Sequence, residues 1–364
     1  MNTIGPIEIV GLIATTRGSE ASVGNEPRYD PGFVAELARA YEAAGYDRVL
    51  VGQNARSSDS LVNATWVAAA TQRLKLMVAH RPGFIAPTMA GRALATLDQL
   101  SGGRAGVHII TAFSDLETRN DGDWLTKDQR YERSQEYIRI LRRMWAADAP
   151  FDHTGPYYRI EQAFTEVQPV RRDIPVFWAG TSPLALKYGA ELADVYALGP
   201  GSVAQTAAQV ATIEAEARRH DRRPRFSMSM RLVVGDTDAA AWDRATDLLR
   251  GVEARQAAQG LLGRELGAAA LDVAQKAAQA DAAGDDPCLW TGLTAATQGR
   301  IQVMCLVGSP DTLAAALLRY YHAGIDNFLI TGFDWLPDTA RIGTEVGARL
   351  RALTAAAPRP GTIA

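Results

Sequence analysis

The sequence predicts a (β/α)8 barrel, and three observations predict it. Eight short runs are almost continuously apolar, a helical pattern follows each of them, and no interdomain linker separates them. A strand buried on both faces has no polar side to alternate with, so continuous apolar runs imply a parallel sheet. A doubly wound sheet is the structural alternative. It is disfavoured because no GxGxxG follows the first strand. The chain therefore reads as one domain, 1–364, with inserts near 112–127 and 250–303.

"IEIVGLIAT" (7–15) is the first strand. "DPGFVAELARAYEAAG" (30–45) is its helix, with Asp30 as N-cap, Pro31 in the first helical position and Gly45 as the stop. "YDRVLVG" (46–52) and "DSLVNATWVAAATQ" (59–72) form the second unit; "LKLMVAH" (74–80) and "APTMAGRALATLDQLS" (86–101) form the third. "RAGVHIIT" (104–111) is the fourth strand, and after the first insert comes the amphipathic helix "DQRYERSQEYIRILRRMWAA" (128–147). "FDHTGPYYRI" (151–160) reads as a hairpin turning at Thr154-Gly155. "PVFWAGT" (175–181), "DVYALG" (194–199) and "RFSMSMRLVVG" (225–235) continue the strands. Residues 250–300 are Ala-, Gln- and Gly-rich and read as strand-free. "SPDTLAAALLRYYHAG" (309–324), "DNFLITG" (326–332) and a last helix from about Pro337 close the chain.

Composition narrows the function. Of 364 residues, 47% are hydrophobic and 22% charged, with a net charge of −3, so nothing asks for a polyanionic partner. The basic run "RRHDRRPR" (218–225) has no interleaved aromatic residue and reads as a solvated turn, not a nucleic-acid patch. Cys288 and Cys305 give no disulfide framework, and the five histidines have no ligand spacing, so no metal site is expected. The N-terminus lacks an export pattern, and no run approaches the ~20 apolar residues of a membrane span. A soluble, cytoplasmic protein is the expectation.

In a barrel, chemistry sits at the C-terminal ends of the strands. Those ends hold Gln53 and Asn54, His80 and Arg81, His108 to Phe113, Gly180 to Ser182, Gly199, Arg231, and Gly332 to Trp335. Neither a carboxylate pair nor a GxSxG elbow is among them, which argues against hydrolysis. Glycines, hydroxyls, amides and aromatics suit a flat aromatic cofactor instead. "AGTS" (179–182) offers a phosphate cradle at a helix N-terminus, and it serves an ordinary N-cap equally well. Arg130 and Tyr131 offer a guanidinium and a hydroxyl to a phosphate, or belong to a surface network. His108 reads as a catalytic group or as a satisfied interior histidine. Arg81 reads as an anion-attracting residue or an exposed loop arginine, and Trp178, Phe333 and Trp335 read as pocket walls.

"QRLKLMVAHRPGFIAPTMAGRALATLDQLSGGRAGVHIITAFSD" followed by "RYERSQEYIRILRRMW" resembles the bacterial luciferase-like flavin monooxygenases, most nearly the alkanesulfonate monooxygenase branch. "IPVFWAGTSPLALKYGAELADVYALG" and "LVGSPDTLAAALLRYYHAGIDNFLITGFDWL" continue the resemblance. It covers nearly the whole chain, apart from the 236–290 region. The resemblance implies reduced FMN (FMNH2) delivered by a separate NAD(P)H-dependent FMN reductase, O2 as co-substrate, a small organic substrate and a homo-oligomer. It places Arg130, Tyr131, Gly180, Thr181 and Ser182 on the FMN phosphate, and Gln53, Asn54, His108 and Thr111 around the ring. His108 and Arg231 are the implied catalytic residues. Ser58, Arg81, Phe113, Arg300, Phe333 and Trp335 are the implied substrate contacts. The chain departs from the branch at Ser58, where Cys is usual, and at Ser229 and Arg231, where Arg and His are usual. Phe333 and Trp335 stand where the branch carries Tyr and His. The flavin half of the pattern is kept and the substrate half is rewritten. An F420-dependent oxidoreductase, a non-catalytic flavin binder and a phosphosugar lyase or isomerase remain as alternatives; the last lacks the Lys or carboxylate pair it needs.

Overall fold

The computed structural model describes residues 6–19, 29–111, 114–259, 268–284, 286–298 and 304–357. Its strands are β1 (Glu8–Leu12), β2 (Arg48–Val51), β3 (Lys75–His80), β4 (Val107–Ile109), β5 (Phe151–Thr154), β6 (Arg159–Ala163), β7 (Val176–Ala179), β8 (Val195–Leu198), β9 (Arg225–Val234), β10 (Leu289–Trp290), β11 (Cys305–Gly308) and β12 (Asn327–Thr331). The order β9-β12-β1-β2-β3-β4-β7-β8, with β8 also paired to β9, closes eight strands into the barrel of a (β/α)8 fold. All eight are the strands the apolar runs predict. Apart from His108 on β4 and Ser227, Ser229 and Arg231 on β9, their charged and small polar residues lie at their ends, because their middles have no solvent to face.

The chain divides into two compact units. One comprises residues 48–197 and 213–224 and contains β2, β3, β4 and β7. Its core is built on the fully buried Tyr137, Trp145, Phe177 and Trp178. Three of these carry polar atoms, and each indole is satisfied: Trp145 Nε1 donates to the Gly91 carbonyl at 3.0 Å and Trp178 Nε1 to that of Ala185 at 2.9 Å. Arg104 donates to the carbonyls of Ala68, Thr71, Leu74 and Ser101, so one guanidinium finishes two helix C-termini just before β4.

The other unit comprises residues 1–47, 198–212 and 225–364 and contains β1, β9, β11 and β12. Asp30 caps the helix Pro31–Ala43 as the sequence indicates, accepting from the Phe33 amide at 3.0 Å. After β12 the Asp338 carboxylate accepts from the amides of Phe333 and Asp334, at 2.7 and 2.9 Å, and pairs with Arg244 at 2.8 Å. A Cβ on Gly332 would lie 2.1 Å from that carboxylate, so only glycine lets the strand end fold this tightly.

The structure departs from the sequence reading in four places. β10 falls within 250–300, read as strand-free, where it pairs antiparallel with β11. β11 extends the second half of β9 and was hidden in the run after the insert. The hairpin turns over Gly155–Tyr158, because Thr154 is the partner of Arg159. A six-residue helix, Asp115–Asn120, forms within the first insert.

His80 ends β3 buried, with Nε2 2.8 Å from the Tyr137 hydroxyl, while that hydroxyl lies 3.0 Å from the Ile85 carbonyl. One hydroxyl hydrogen serves one acceptor. The chain of donors is consistent when His80 Nε2–H donates to Tyr137 and Tyr137 donates to Ile85. Desolvation pushes the His80 pKa down to about 4. The unfolded chain therefore takes up a proton near pH 6.5 that the folded chain refuses until about pH 4. This stability is fully present above pH 6.5 and is lost as pH falls through that window, by on the order of 3 kcal/mol. Urea denaturation of His80→Asn at a series of pH values should show a shallower fall between pH 6.5 and 4 than wild type. An identical slope would contradict the assignment.

Candidate active site

The turn after β7 is set by local chemistry. Gly180 has φ 141°, a conformation side chains disfavour, and a Cβ there would lie 2.5 Å from the Tyr131 hydroxyl and 2.6 Å from Ala185 Cβ. Ser182 then caps the ten-residue helix Pro183–Leu192, its Oγ accepting from the Ala185 amide at 3.3 Å. As an acceptor, that oxygen keeps its own hydrogen to donate. The result is a helix N-terminus bordered by the hydroxyls of Tyr131 and Ser182, with Thr181 exposed beside them. Such an end carries partial positive charge and unpaired N–H groups, and it receives anions. The Tyr196 hydroxyl, on β8, donates to the Gly180 carbonyl at 2.7 Å and holds the turn from behind. Nothing in the sequence reading singled out Tyr196; a lone hydroxyl in the aliphatic run "DVYALG" is the signal that marks it.

Arg130 stands one residue before Tyr131, in the helix Lys127–Ala146, which opens with a Thr126–Gln129 capping box. It is not a surface residue. Its buried guanidinium donates to the carbonyls of Thr111 and Leu125, at 2.8 and 2.6 Å, and to Asp115 at 2.9 Å. Three of its five N–H groups are thus engaged. Thr111 is buried and contributes its carbonyl to Arg130.

On β4, His108 packs edge-on to Phe177, with ring centroids 6.5 Å apart. Its Nδ1 is buried and has no hydrogen-bond partner among the described residues, and desolvation lowers its pKa to about 4. The ring is therefore neutral at pH 7, with a nitrogen left to a ligand. Gln53 meets Ser60, whose Oγ lies 2.6 Å from the amide oxygen and 2.5 Å from the Ala79 carbonyl. One serine hydrogen cannot serve two acceptors. The amide is better turned, with Nε2 donating to Ser60 and its oxygen directed away. Asn54 is exposed and closes its own loop, accepting from the Arg56 amide at 2.8 Å. Ser58 is half-buried, just before the Asp59 N-cap. Arg81 is buried and paired with Glu117 and Asp121, at 2.5 and 3.4 Å, so its charge is compensated internally.

In the other unit, Arg231 is buried on β9 and donates to the Gly332 carbonyl. Its guanidinium lies 5.3 Å from the Phe333 ring centre and 5.1 Å from that of Trp335. Phe333 is almost wholly buried and belongs to a cluster with Val233, Leu293 and Val307, so it supports Arg231 from the core. The Trp335 indole donates to the Gly18 carbonyl at 3.0 Å, leaving its ring face and not its N–H for other partners. Phe113 and Arg300 lie outside the described residues. Among the described residues no group of His, Cys, Asp or Glu could hold a metal, and no helix is long and apolar enough to cross a membrane.

A helix N-terminus bordered by two hydroxyls at a barrel strand end is suited to a phosphate or another anion. Residues 9–327 match the model of the luciferase-like monooxygenase family, and the chain belongs to that family. Its structure is similar to EDTA monooxygenase from Chelativorans sp. BNC1, with a TM-score of 0.79 and 18% identity over 99% of this chain and 96% of that one. It is also similar to riboflavin lyase, solved with modified FMN and riboflavin (TM-score 0.78, 18% identity, 98% of this chain and 93% of that one). An F420-dependent secondary alcohol dehydrogenase matches at TM-score 0.68 and 16% identity, covering 99% of this chain and all of the other. At these identities the likeness to solved structures is one of fold.

Tyr196→Phe removes one hydrogen bond from the turn and leaves the helix end in place. Its expected effect is about a fivefold loss of affinity for a phosphate-bearing ligand, from roughly 1 kcal/mol, with little change in melting temperature. Gly180→Ala should be much worse, displacing Tyr131. Equal ligand affinity in Tyr196→Phe and wild type would detach the turn from binding.

Proposed function

We propose that the chain is a two-component monooxygenase that uses reduced FMN, supplied by a separate NAD(P)H-dependent reductase, and O2 to oxidise a small organic substrate. The observation that carries this reading is the Gly180–Ser182 turn, which a single Cβ would fill and which the Tyr131 hydroxyl borders. The residues fit FMN. The turn, Tyr131 and Arg130 would hold the phosphate, and the orphaned Nδ1 of His108 and the half-buried Gln53 amide would meet the polar ring edge. When bound, the reduced flavin supplies the electrons that allow one oxygen atom of O2 to enter the substrate.

The chain's own part is positioning and electrostatics. His108, neutral at pH 7, offers a hydrogen bond without adding charge to the site. Arg231 carries a fixed charge whose plane is held by a carbonyl and two aromatic rings, so it orients an anionic group. That favours an acidic organic substrate, of which an organosulfonate is one example, on pocket residues that differ from the alkanesulfonate branch at Ser58, Ser229, Arg231, Phe333 and Trp335. Arg81 is less suited to this role because Glu117 and Asp121 already neutralise it.

The phosphate turn alone would accept F420 equally well, and the fold is shared with an F420-dependent enzyme. Anaerobic fluorescence titration with oxidised FMN, reduced FMN and F420 separates the readings. Tighter binding of reduced FMN is expected; binding of F420 alone would assign hydride transfer without O2. His108→Ala should retain reduced-FMN binding and lose product formation by roughly a hundredfold, the usual cost of one preorganised donor. Unchanged turnover would remove His108 from the reaction.

A further inference from the structure

Every carboxylate of the segment 114–126 faces an arginine from the surrounding scaffold. Asp115 pairs with Arg130 at 2.9 Å, Glu117 and Asp121 with Arg81, and Asp123 with Arg133. These contacts are unequal. The Glu117 and Asp123 side chains are 19% and 6% exposed, whereas Asp115 is 57% exposed on an arginine that is itself 3% exposed. The most solvated acid of the segment thus covers the outer face of a buried guanidinium. Arg130 does not depend on Asp115 for its place, because the Thr111 and Leu125 carbonyls hold its other nitrogens.

We propose that Asp115 is a built-in competitor for the phosphate position on Arg130, so that an arriving phosphate dianion displaces it and frees the first turn of the helix Asp115–Asn120. The proposal rests on the reading of Arg130 as a phosphate ligand. A solvated carboxylate pair contributes at most about 1 kcal/mol, while a phosphate brings nearly twice the charge and more acceptor oxygens to the same nitrogens. Exchange therefore favours the phosphate. Glu117, Asp121 and Asp123 stay latched to Arg81 and Arg133, so release is confined to the N-terminal end of the segment. Asp115 thereby lowers the affinity of the site for any anion and makes the phosphate, not the ring, the group that unlocks the turn.

The test compares FMN with riboflavin, which lacks the phosphate, on wild type and Asp115→Asn. FMN should bind about three- to fivefold more tightly to the variant, with riboflavin affinity unchanged. Equal FMN affinity, or a parallel shift for both ligands, overturns the proposal while leaving the cofactor reading intact. Inorganic phosphate gives a readout independent of flavin: at matched ionic strength it should raise the melting temperature of Asp115→Asn more than that of wild type. That result without FMN binding would keep the competitor and defeat the cofactor. In wild type, amide exchange over residues 115–118 should quicken on addition of FMN and not of riboflavin. Slower exchange there would also overturn the proposal.

Discussion

Eight parallel strands closed on themselves leave polar side chains very little room. Both faces of each strand are covered, so a group that must meet a ligand is driven to a strand end, where hydrogen-bond partners come from turns and helix caps. The placement of the candidate residues follows from that constraint. Gly180 and Ser182 lie where β7 gives way to a helix, His108 is the one polar residue of β4, and Arg231 follows Ser227 and Ser229 along β9. Each needs outside support: a cap for Ser182, aromatic faces and a carbonyl for Arg231, and Phe177 against His108.

The structure uses its arginines in two ways. Arg81 and Arg133 are matched to carboxylates in protected pairs, where removing one partner would strand the other charge at a cost of several kcal/mol. Arg231 lies beside the Gly332 carbonyl and the Phe333 and Trp335 rings, and Arg130 donates to two carbonyls besides its exposed partner Asp115; these contacts fix each guanidinium plane. The first arrangement anchors a segment. The second orients a guanidinium plane, which suits recognition of an anionic group.

What the sequence revealed tracks how local each cause is. The eight barrel strands were legible because burial on both faces writes a continuous apolar run. The Gly180–Ser182 turn was legible because glycine, a capping serine and a proline act within four residues. The helix Asp115–Asn120 was not, since it is short and mostly polar and its Asp115 and Glu117 are held by arginines elsewhere in the fold. β10 was not, being two residues paired to a strand beyond the insert. The fate of Trp335 was equally hidden, as its indole meets a carbonyl 317 residues away. Residue type and position suggest where chemistry would gather; which charges are paired depends on contacts made across the fold.

The central claim is that the turn after β7 receives the phosphate of a flavin nucleotide. A crystal structure of the chain with FMN tests it directly. Phosphate oxygens should lie within about 3 Å of the Thr181 and Ser182 amides and the Tyr131 hydroxyl. A flavin bound with its phosphate elsewhere, and the turn filled by solvent, would contradict it.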